Sequence, residues 1–128
     1  MKMLLMVFIV ILNTNLYSND CIEQTKKELI ETVSSKLNIS HNKLKVRYIG
    51  GESLDGDYTN DGLYQDNAWE YFDVFLKTEN PKQDSALVMF LVEMSVYSNE
   101  QTGDVDCELN SINSVDTDDW NEIYRTYL

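Results

Sequence analysis

Two cysteines, Cys21 and Cys107, constrain the fold of this chain more than any other feature of its sequence. They are its only cysteines, and in an oxidising compartment an even pair in a small domain most simply forms a disulfide. The predicted bridge would tie the start of the folded chain to a segment near its end, and it would leave no free thiol as a nucleophile. Two isolated cysteines without a histidine cluster favour a disulfide over a metal site.

The N-terminal segment predicts the compartment in which this disulfide forms. Lys2 precedes an unbroken apolar run over residues 3–12, and the polar stretch NTNLYSND follows, which is the pattern of a secretory signal. The run is too short to span a bilayer as a helix, and Asn19 and Asp20 are not the small residues that precede a lipid-modified cysteine. We therefore predict a signal peptide over residues 1–18 and a secreted or periplasmic domain over residues 19–128, with no membrane association after cleavage.

The charge of the predicted domain is strongly negative. Residues 19–128 hold all 22 acidic residues and 9 of the 10 basic ones, so that their net charge is −13. Such a surface repels nucleic acid and anionic lipid and favours basic partners or cations. Solubility alone is the alternative explanation of an acidic exported domain.

The hydrophobic pattern predicts one α+β domain, because 110 residues suffice for a single core. Apolar residues Ile22, Leu29, Ile30, Val33 and Leu37 recur at helical spacing, and Asp20 with Glu23 has the spacing of a capping box. Alternating or continuous apolar residues then predict four strands, over residues 43–49, 68–78, 86–97 and 105–112. The predicted fold is an N-terminal amphipathic helix packed on a four-stranded antiparallel sheet, with a short C-terminal helix, one disulfide and an 18-residue loop, Gly50 to Asn67.

The order of elements also resembles a known family. The helix from Asp20 to Leu37, the aromatic strand from Tyr71 to Leu76 and the hairpin residues Thr102, Gly103 and Val105 together resemble the PepSY-like small domains of exported bacterial proteins. The resemblance covers most of the predicted domain by order of elements and implies a binding or inhibitory module, in some cases acting on peptidases. A cystatin-like sheet and helix is also compatible with this order.

Few residues in the chain could carry catalysis. His41 is the only histidine and lies in a polar turn, where a solvent-facing side chain is the simplest interpretation. The chain has no glycine-rich phosphate loop and no basic patch of useful size. We therefore predict a protein that is not an enzyme and that needs no cofactor.

The acidic segment DGDYTNDGLYQDNAWE, residues 55–70, is a candidate calcium-binding loop. With Gly62 at position 6 of an EF-hand loop, Asp57 and Asp61 fall at positions 1 and 5, but Thr59 is a weak ligand at position 3. Ala68 occupies position 12, where a bidentate acid is required, so the EF-hand interpretation fails. A looser site would bind calcium only weakly, and its candidate ligands are Asp55, Asp57, Asp61 and Asp66. A solvated acidic turn that binds no metal is the alternative.

An aromatic strand follows this acidic segment. Trp69, Tyr71 and Phe75 share one face of the predicted strand and would form an apolar patch if the C-terminal helix left them open. Alternatively, that helix covers them as a second small core. The sequence thus predicts an exported interaction module that binds, and could inhibit, a basic protein such as a hydrolase or toxin; a weak calcium-binding structural module is the alternative. The predicted partner-binding residues are Asp55, Asp57, Asp61, Asp66, Trp69, Tyr71 and Phe75.

Overall fold

The computed structural model describes residues 21–80 and 85–128. The predicted signal peptide, residues 1–18, and Asp20 of the predicted capping box lie outside the described residues. In the described part, helix α1 spans residues 21–37. Its buried face repeats every four residues and consists of Cys21, Thr25, Leu29 and Val33. The Thr25 hydroxyl donates a hydrogen bond of 2.8 Å to the Cys21 carbonyl, which satisfies this polar group inside the core.

Four strands of the described chain form one antiparallel sheet. They are β1 (Leu44–Tyr58), β2 (Tyr64–Leu76), β3 (Ala86–Ser98) and β4 (Val105–Ser114), in the spatial order β1-β2-β3-β4. A single 3₁₀ turn (His41–Lys43) leads into β1, and helix α2 (Thr117–Tyr127) ends the chain. The predicted fold class is confirmed.

The predicted 18-residue loop, Gly50 to Asn67, is wrong. Strand β1 continues to Tyr58 and β2 begins at Tyr64, so that only residues 59–63 connect them. These strand ends are not predicted from the sequence, because glycine and aspartate are depleted in strands. Here they lie at irregularities in the hydrogen-bonded pairing of β1 with β2. The pairing of β1 with β2 shifts register between Tyr48 and Gly50 and again between Leu54 and Asp57.

The main core lies between α1 and one face of the sheet. Phe72 of β2 is fully buried, and cross-strand partners Tyr48 and Phe90 flank it. Leu29 and Val33 of α1 belong to the same core cluster. Leu37, which the helical pattern placed on the apolar stripe, is instead exposed at the C-terminal end of α1.

Helix α2 covers part of the opposite face. Tyr71 and Leu91 are cross-strand partners that alternate with the core residues, and both border α2 together with Ile123. The sheet is therefore sandwiched locally between two helices, and side chains on both faces of β2 are buried near its centre.

The predicted disulfide is confirmed. Cys21 at the start of α1 is bonded to Cys107 in β4, across 86 residues of chain, and the Cα atoms lie 5.8 Å apart. Cys21 is buried within the main core. The bridge joins the helical layer to the edge strand furthest from β1, so that α1 is held covalently over the sheet.

We expect reduction of this disulfide to lower the free energy of unfolding by about 4 kcal/mol, because opening so long a loop restores chain entropy to the unfolded state. Urea unfolding of the oxidised protein and of the Cys21→Ala/Cys107→Ala double variant would measure the difference. Oxidised and reduced samples of the double variant should unfold at the same urea concentration. Equal stability of the wild type with and without reductant would contradict the prediction.

Candidate binding surfaces

Two hairpin turns project from the same end of the sheet. Residues 59–63 join β1 to β2, and residues 99–104 join β3 to β4. Because Tyr64 pairs with Ser98, the two turns lie side by side. We call this end, residues 54–66 and 98–108, the acidic end. Its described acidic side chains are Asp57, Asp61, Asp66, Glu100, Asp104, Asp106 and Glu108.

A close backbone approach shapes the β1–β2 hairpin. A Cβ atom on Gly56 would lie only 1.3 Å from the Gln65 carbonyl oxygen, so no larger residue fits without moving the strands. The Gly56 N–H donates a hydrogen bond of 3.0 Å to the Asp66 carboxylate. Asp66 therefore has a local structural partner at the bulge, whereas Asp61 is exposed in the turn.

Tyrosines connect the two hairpins at the acidic end. The rings of Tyr58 and Tyr64 meet edge to face with centroids 5.3 Å apart, and the Tyr58 hydroxyl donates a 2.9 Å hydrogen bond to Glu100 of the second hairpin. This bond raises the pKa of the Tyr58 hydroxyl. Tyr58 and Leu54 nevertheless remain 57% and 60% exposed. An exposed tyrosine and an exposed leucine at an end of the sheet rich in carboxylates have the composition of protein-binding surfaces.

Charge is segregated along the sheet. No lysine or arginine occurs between Tyr48 and Leu76, a stretch with seven acidic residues, and none between Ala86 and Tyr124, where nine occur. The basic residues nearest the sheet lie at the opposite end from the hairpin turns and comprise Lys43, Lys45, Arg47 and Lys77. The negative potential at the acidic end is thus not neutralised by neighbouring basic side chains of the sheet.

The four predicted calcium ligands lie along the β1–β2 hairpin. Asp55 and Asp57 belong to β1, Asp61 to the turn and Asp66 to β2. Asp57 accepts a hydrogen bond from the adjacent Tyr58 N–H, and Asp66 from Gly56. Among the described side chains, which exclude that of Asp55, the structure gathers no group of three or more acidic, histidine or cysteine residues suited to a metal ion.

The predicted aromatic face is divided by α2. Phe75 is buried at the basic end of β2, with the guanidinium of Arg47 lying 5.0 Å from its ring centroid. Tyr71 lies against Tyr127 of α2, with ring centroids 5.5 Å apart. Trp69 is half-buried beyond these contacts. Of the three predicted partner-binding aromatics, only Trp69 therefore lies towards the uncovered half of the sheet.

A buried carboxylate anchors α2. Asp73 of β2 is fully buried and receives two hydrogen bonds from Arg47, at 3.1 Å from Nε and 2.7 Å from Nη2. The Tyr124 hydroxyl of α2 donates a third bond of 2.7 Å to Asp73. Burial and this hydrogen bond raise the pKa of Tyr124 to about 12. The cluster satisfies the buried charge and joins β1, β2 and α2 at one point.

The last turn of α2 lies directly on β1. Gly50 has a φ of 151°, and a Cβ atom there would stand 2.8 Å from the Tyr127 Cβ atom. Glycine is therefore required both by the backbone conformation and by the space. The Tyr127 hydroxyl donates a 3.2 Å hydrogen bond to Glu52, two residues further along β1.

A groove of about 420 Å³ runs between α2 and the sheet. We call it the α2 groove. Its floor and walls are formed by apolar and aromatic side chains from both layers, and Asp119, Glu122 and Thr126 of α2 line it as well. The apolar and aromatic lining residues are Tyr71, Leu91, Val115, Ile123 and Tyr127.

A second carboxylate, which is only partly buried, lies on the α1 side of the sheet. Glu70 of β2 accepts a 2.5 Å hydrogen bond from the Tyr48 hydroxyl, and its side chain lies over Gly51. Burial raises the pKa of Glu70, although the bond from Tyr48 opposes this shift. Burial, followed by the same bond, raises the pKa of Tyr48.

Several residues of these surfaces were not identified from the sequence. Asp73 and Arg47 alternate with apolar residues of their strands, a pattern that indicates a shared face but not a burial depth. Tyr58 and Tyr64 fall within the predicted 18-residue loop. No alternation of apolar and polar residues continues through residues 64–67, YQDN, so the hydrophobic pattern carried no signal for extending β2.

We expect Asp73→Asn to lower the free energy of unfolding by about 3 kcal/mol, because the amide nitrogen would face the donors of Arg47 and Tyr124. Arg47→Met, which leaves the buried carboxylate with one donor, should be at least as destabilising. The Arg47→Met/Asp73→Leu double variant should recover most of the loss, since no charge then remains unpaired. Urea unfolding of the wild type, Arg47→Met, Asp73→Leu and the double variant gives a double-mutant cycle, and a loss in the double variant equal to the sum of the two single losses would contradict the prediction.

We expect Glu70→Gln to stabilise the protein at neutral pH while keeping an acceptor for Tyr48. The raised pKa of Glu70 means that its contribution to stability is fully present below the unfolded pKa and is lost as pH rises through the folded pKa. The melting temperature of the variant should exceed that of wild type at pH 7, and the gap should close below the ordinary glutamate pKa of 4.5. Glu108→Gln, at an exposed position, is the control. A pH-independent gap would contradict the prediction.

No protein-family model matches the chain, and searches of curated proteins and of solved structures find no similar protein. Over residues 21–80 and 85–128, no helix has both the length and the apolar character needed to cross a membrane. The function is therefore inferred from the chain's own side chains.

Proposed function

We propose that the protein is an exported, non-enzymatic interaction module that binds a basic protein through its acidic end. The observation that carries this proposal is the juxtaposition of the two hairpin turns, which places acidic side chains from both beside the exposed Tyr58. The confirmed disulfide is compatible with an exported protein.

The electrostatics of the acidic end support a basic partner. Negative side chains from both hairpins add to one potential, which accelerates encounter with a positively charged protein and disfavours acidic ones. Net charge alone would also serve solubility, but it would not require the charge to be concentrated away from the lysines at the other end of the sheet.

The exposed apolar atoms at the acidic end supply the short-range part of the interface. Tyr58 is held in place by its contact with Tyr64 and its bond to Glu100, so that little side-chain entropy is lost when a partner packs on it. Tyrosine is enriched at the energetic centres of protein interfaces. Leu54 pairs with Asn67 and Tyr58 with Tyr64, so that the two exposed side chains offer apolar area on opposite faces of the acidic end.

Inhibition of a basic hydrolase or toxin is the specific role that we propose for this interaction. The resemblance to PepSY-like domains, carried by the opening helix, the aromatic strand and the Thr102–Gly103 turn, supports such a role as a hypothesis. An inhibitor requires a rigid projecting element, and the joined hairpins are such an element: Tyr58 bonds to Glu100 across them.

We expect charge reversal at both turns, Asp61→Lys/Asp104→Lys, to abolish binding of the basic partner. The wild-type protein, immobilised and incubated with secreted or envelope proteins, should retain a lysine- or arginine-rich protein at low salt and release it at high salt, because exposed charges are screened. The variant should not retain it.

Glu28→Lys/Glu31→Lys is the matched control, because it makes the same change in net charge on exposed positions of α1. It should retain the partner nearly as well as wild type. Equal loss in both variants would show that net charge alone drives the association, and retention that does not depend on salt would contradict the proposed acidic interface.

A further inference from the structure

We propose that the α2 groove receives a lysine or arginine side chain from a basic polypeptide. This inference rests on the proposed function, to which it adds a second contact point on the α2 side of the sheet. The observations that carry it are the chemistry of the groove lining, the distribution of charge around it and its position beside the half of the sheet that α2 leaves uncovered.

The lining of the groove matches a cation on an apolar stem. Leu91, Val115 and Ile123 offer apolar surface to the methylene groups of a long basic side chain. Tyr71 and Tyr127 lie with ring centroids 5.5 Å apart, and aromatic faces attract cations. An anionic group would find no cationic side chain among the lining residues.

Two carboxylates give the groove a negative electrostatic potential. Asp119 and Glu122 are three residues apart, hence on one face of α2, and both line the groove. A neutral apolar ligand would desolvate these carboxylates without compensation, whereas an ammonium or guanidinium group would pair with them. Arg125 is the nearest basic residue along α2, and it does not line the groove.

The position of the groove favours a side chain that is presented by a polypeptide. Beyond Tyr71 and Leu91, the next cross-strand pair on this face is Trp69 with Glu93, followed by Asn67 with Ser95, and the row continues to Gln65 and Tyr97 beside the hairpin turns. Trp69 and Glu93 are half-buried, and Asn67 is exposed. An extended segment lying on this row would have one end at the groove and the other at the acidic end.

The groove itself is tested by titrating ¹⁵N-labelled protein with n-butylammonium chloride, which reproduces the lysine side chain, at constant ionic strength. We expect saturable amide shifts at Leu91, Val115, Ile123 and Tyr127. Equal concentrations of n-butanol, which has the same stem without the charge, should not produce them. Equal shifts from both compounds, or shifts spread over all acidic segments, would overturn the inference.

Matched variants on α2 separate the groove carboxylates from general charge. Glu122→Gln and Asp119→Asn should each weaken n-butylammonium binding roughly fivefold, whereas Asp118→Asn, an exposed position outside the lining, should leave it within about twofold. Equal effects of all three substitutions would overturn the inference. Asp61→Lys/Asp104→Lys should leave this titration unchanged, so that failure of the acidic-end interface and failure of the groove are distinguishable.

The source of the cation is tested with two further probes. A blocked peptide with one lysine among serine and glycine residues should shift the groove amides and also those of Trp69 and Glu93. Spermidine should shift the groove amides without those of Trp69 and Glu93, and it should bind no more tightly than the peptide. Tighter binding of spermidine, or peptide shifts confined to the groove, would favour a free polyamine and overturn the polypeptide source.

Discussion

The buried carboxylate of Asp73 determines how the second face of the sheet is organised. A charge in the middle of a sheet must be paired and fully hydrogen-bonded, and here Arg47 and Tyr124 supply the donors. Satisfying Asp73 therefore requires α2 to cross the sheet beside Phe75 and Tyr71. The α2 groove exists because the helix is held at this cluster and at Gly50 while its acidic side chains remain outside the core.

The same placement leaves the other half of that face uncovered. Past Tyr71, side chains on β2 and β3 become polar or half-exposed, and Ser95 is hydrogen-bonded to Asn67 and Asn110. Such a network stabilises the long strands without a covering helix. It also holds the two hairpins on an extension of the sheet, where their charges are far from the lysines at the opposite end.

The sequence predicted those parts of the structure that follow from periodicity and from cysteine chemistry. Cys21 and Cys107, α1 and the strands beginning at Ala86 and Val105 were all predicted, because apolar alternation and an even cysteine pair report directly on burial and bonding. The strand ends around Gly56 were not, since their pairing depends on a close backbone approach and a side-chain bond from Asp66. Neither interaction can be recognised from the strand propensity of the local sequence.

The candidate site was predicted in composition but not in arrangement. Carboxylates at Asp57 and Asp61 were identified, yet Tyr58 acquires its role only when Glu100 of another hairpin is brought to it, 42 residues further along the chain. The aromatic set Trp69, Tyr71 and Phe75 alternated as predicted, but alternation cannot tell an open face from one that α2 covers. The coverage of this face by α2 depends on Asp73, whose burial is unusual because charged side chains are seldom fully buried unless they are paired.

The two proposed contact points follow from one geometric fact, the length of β2 and β3. Gln65, beside the hairpin turn and on the same face of the sheet, lies six positions before Tyr71 at the groove, which is about 20 Å of extended strand. This span matches the dimensions of a standard protein interface, whereas either contact point alone would be small. A basic partner that contacts both ends experiences long-range attraction at the hairpins and desolvated pairing in the groove. Rate and residence time of the complex are then controlled by different residues of the same surface, because surface charge acts mainly on association and buried pairs act mainly on dissociation.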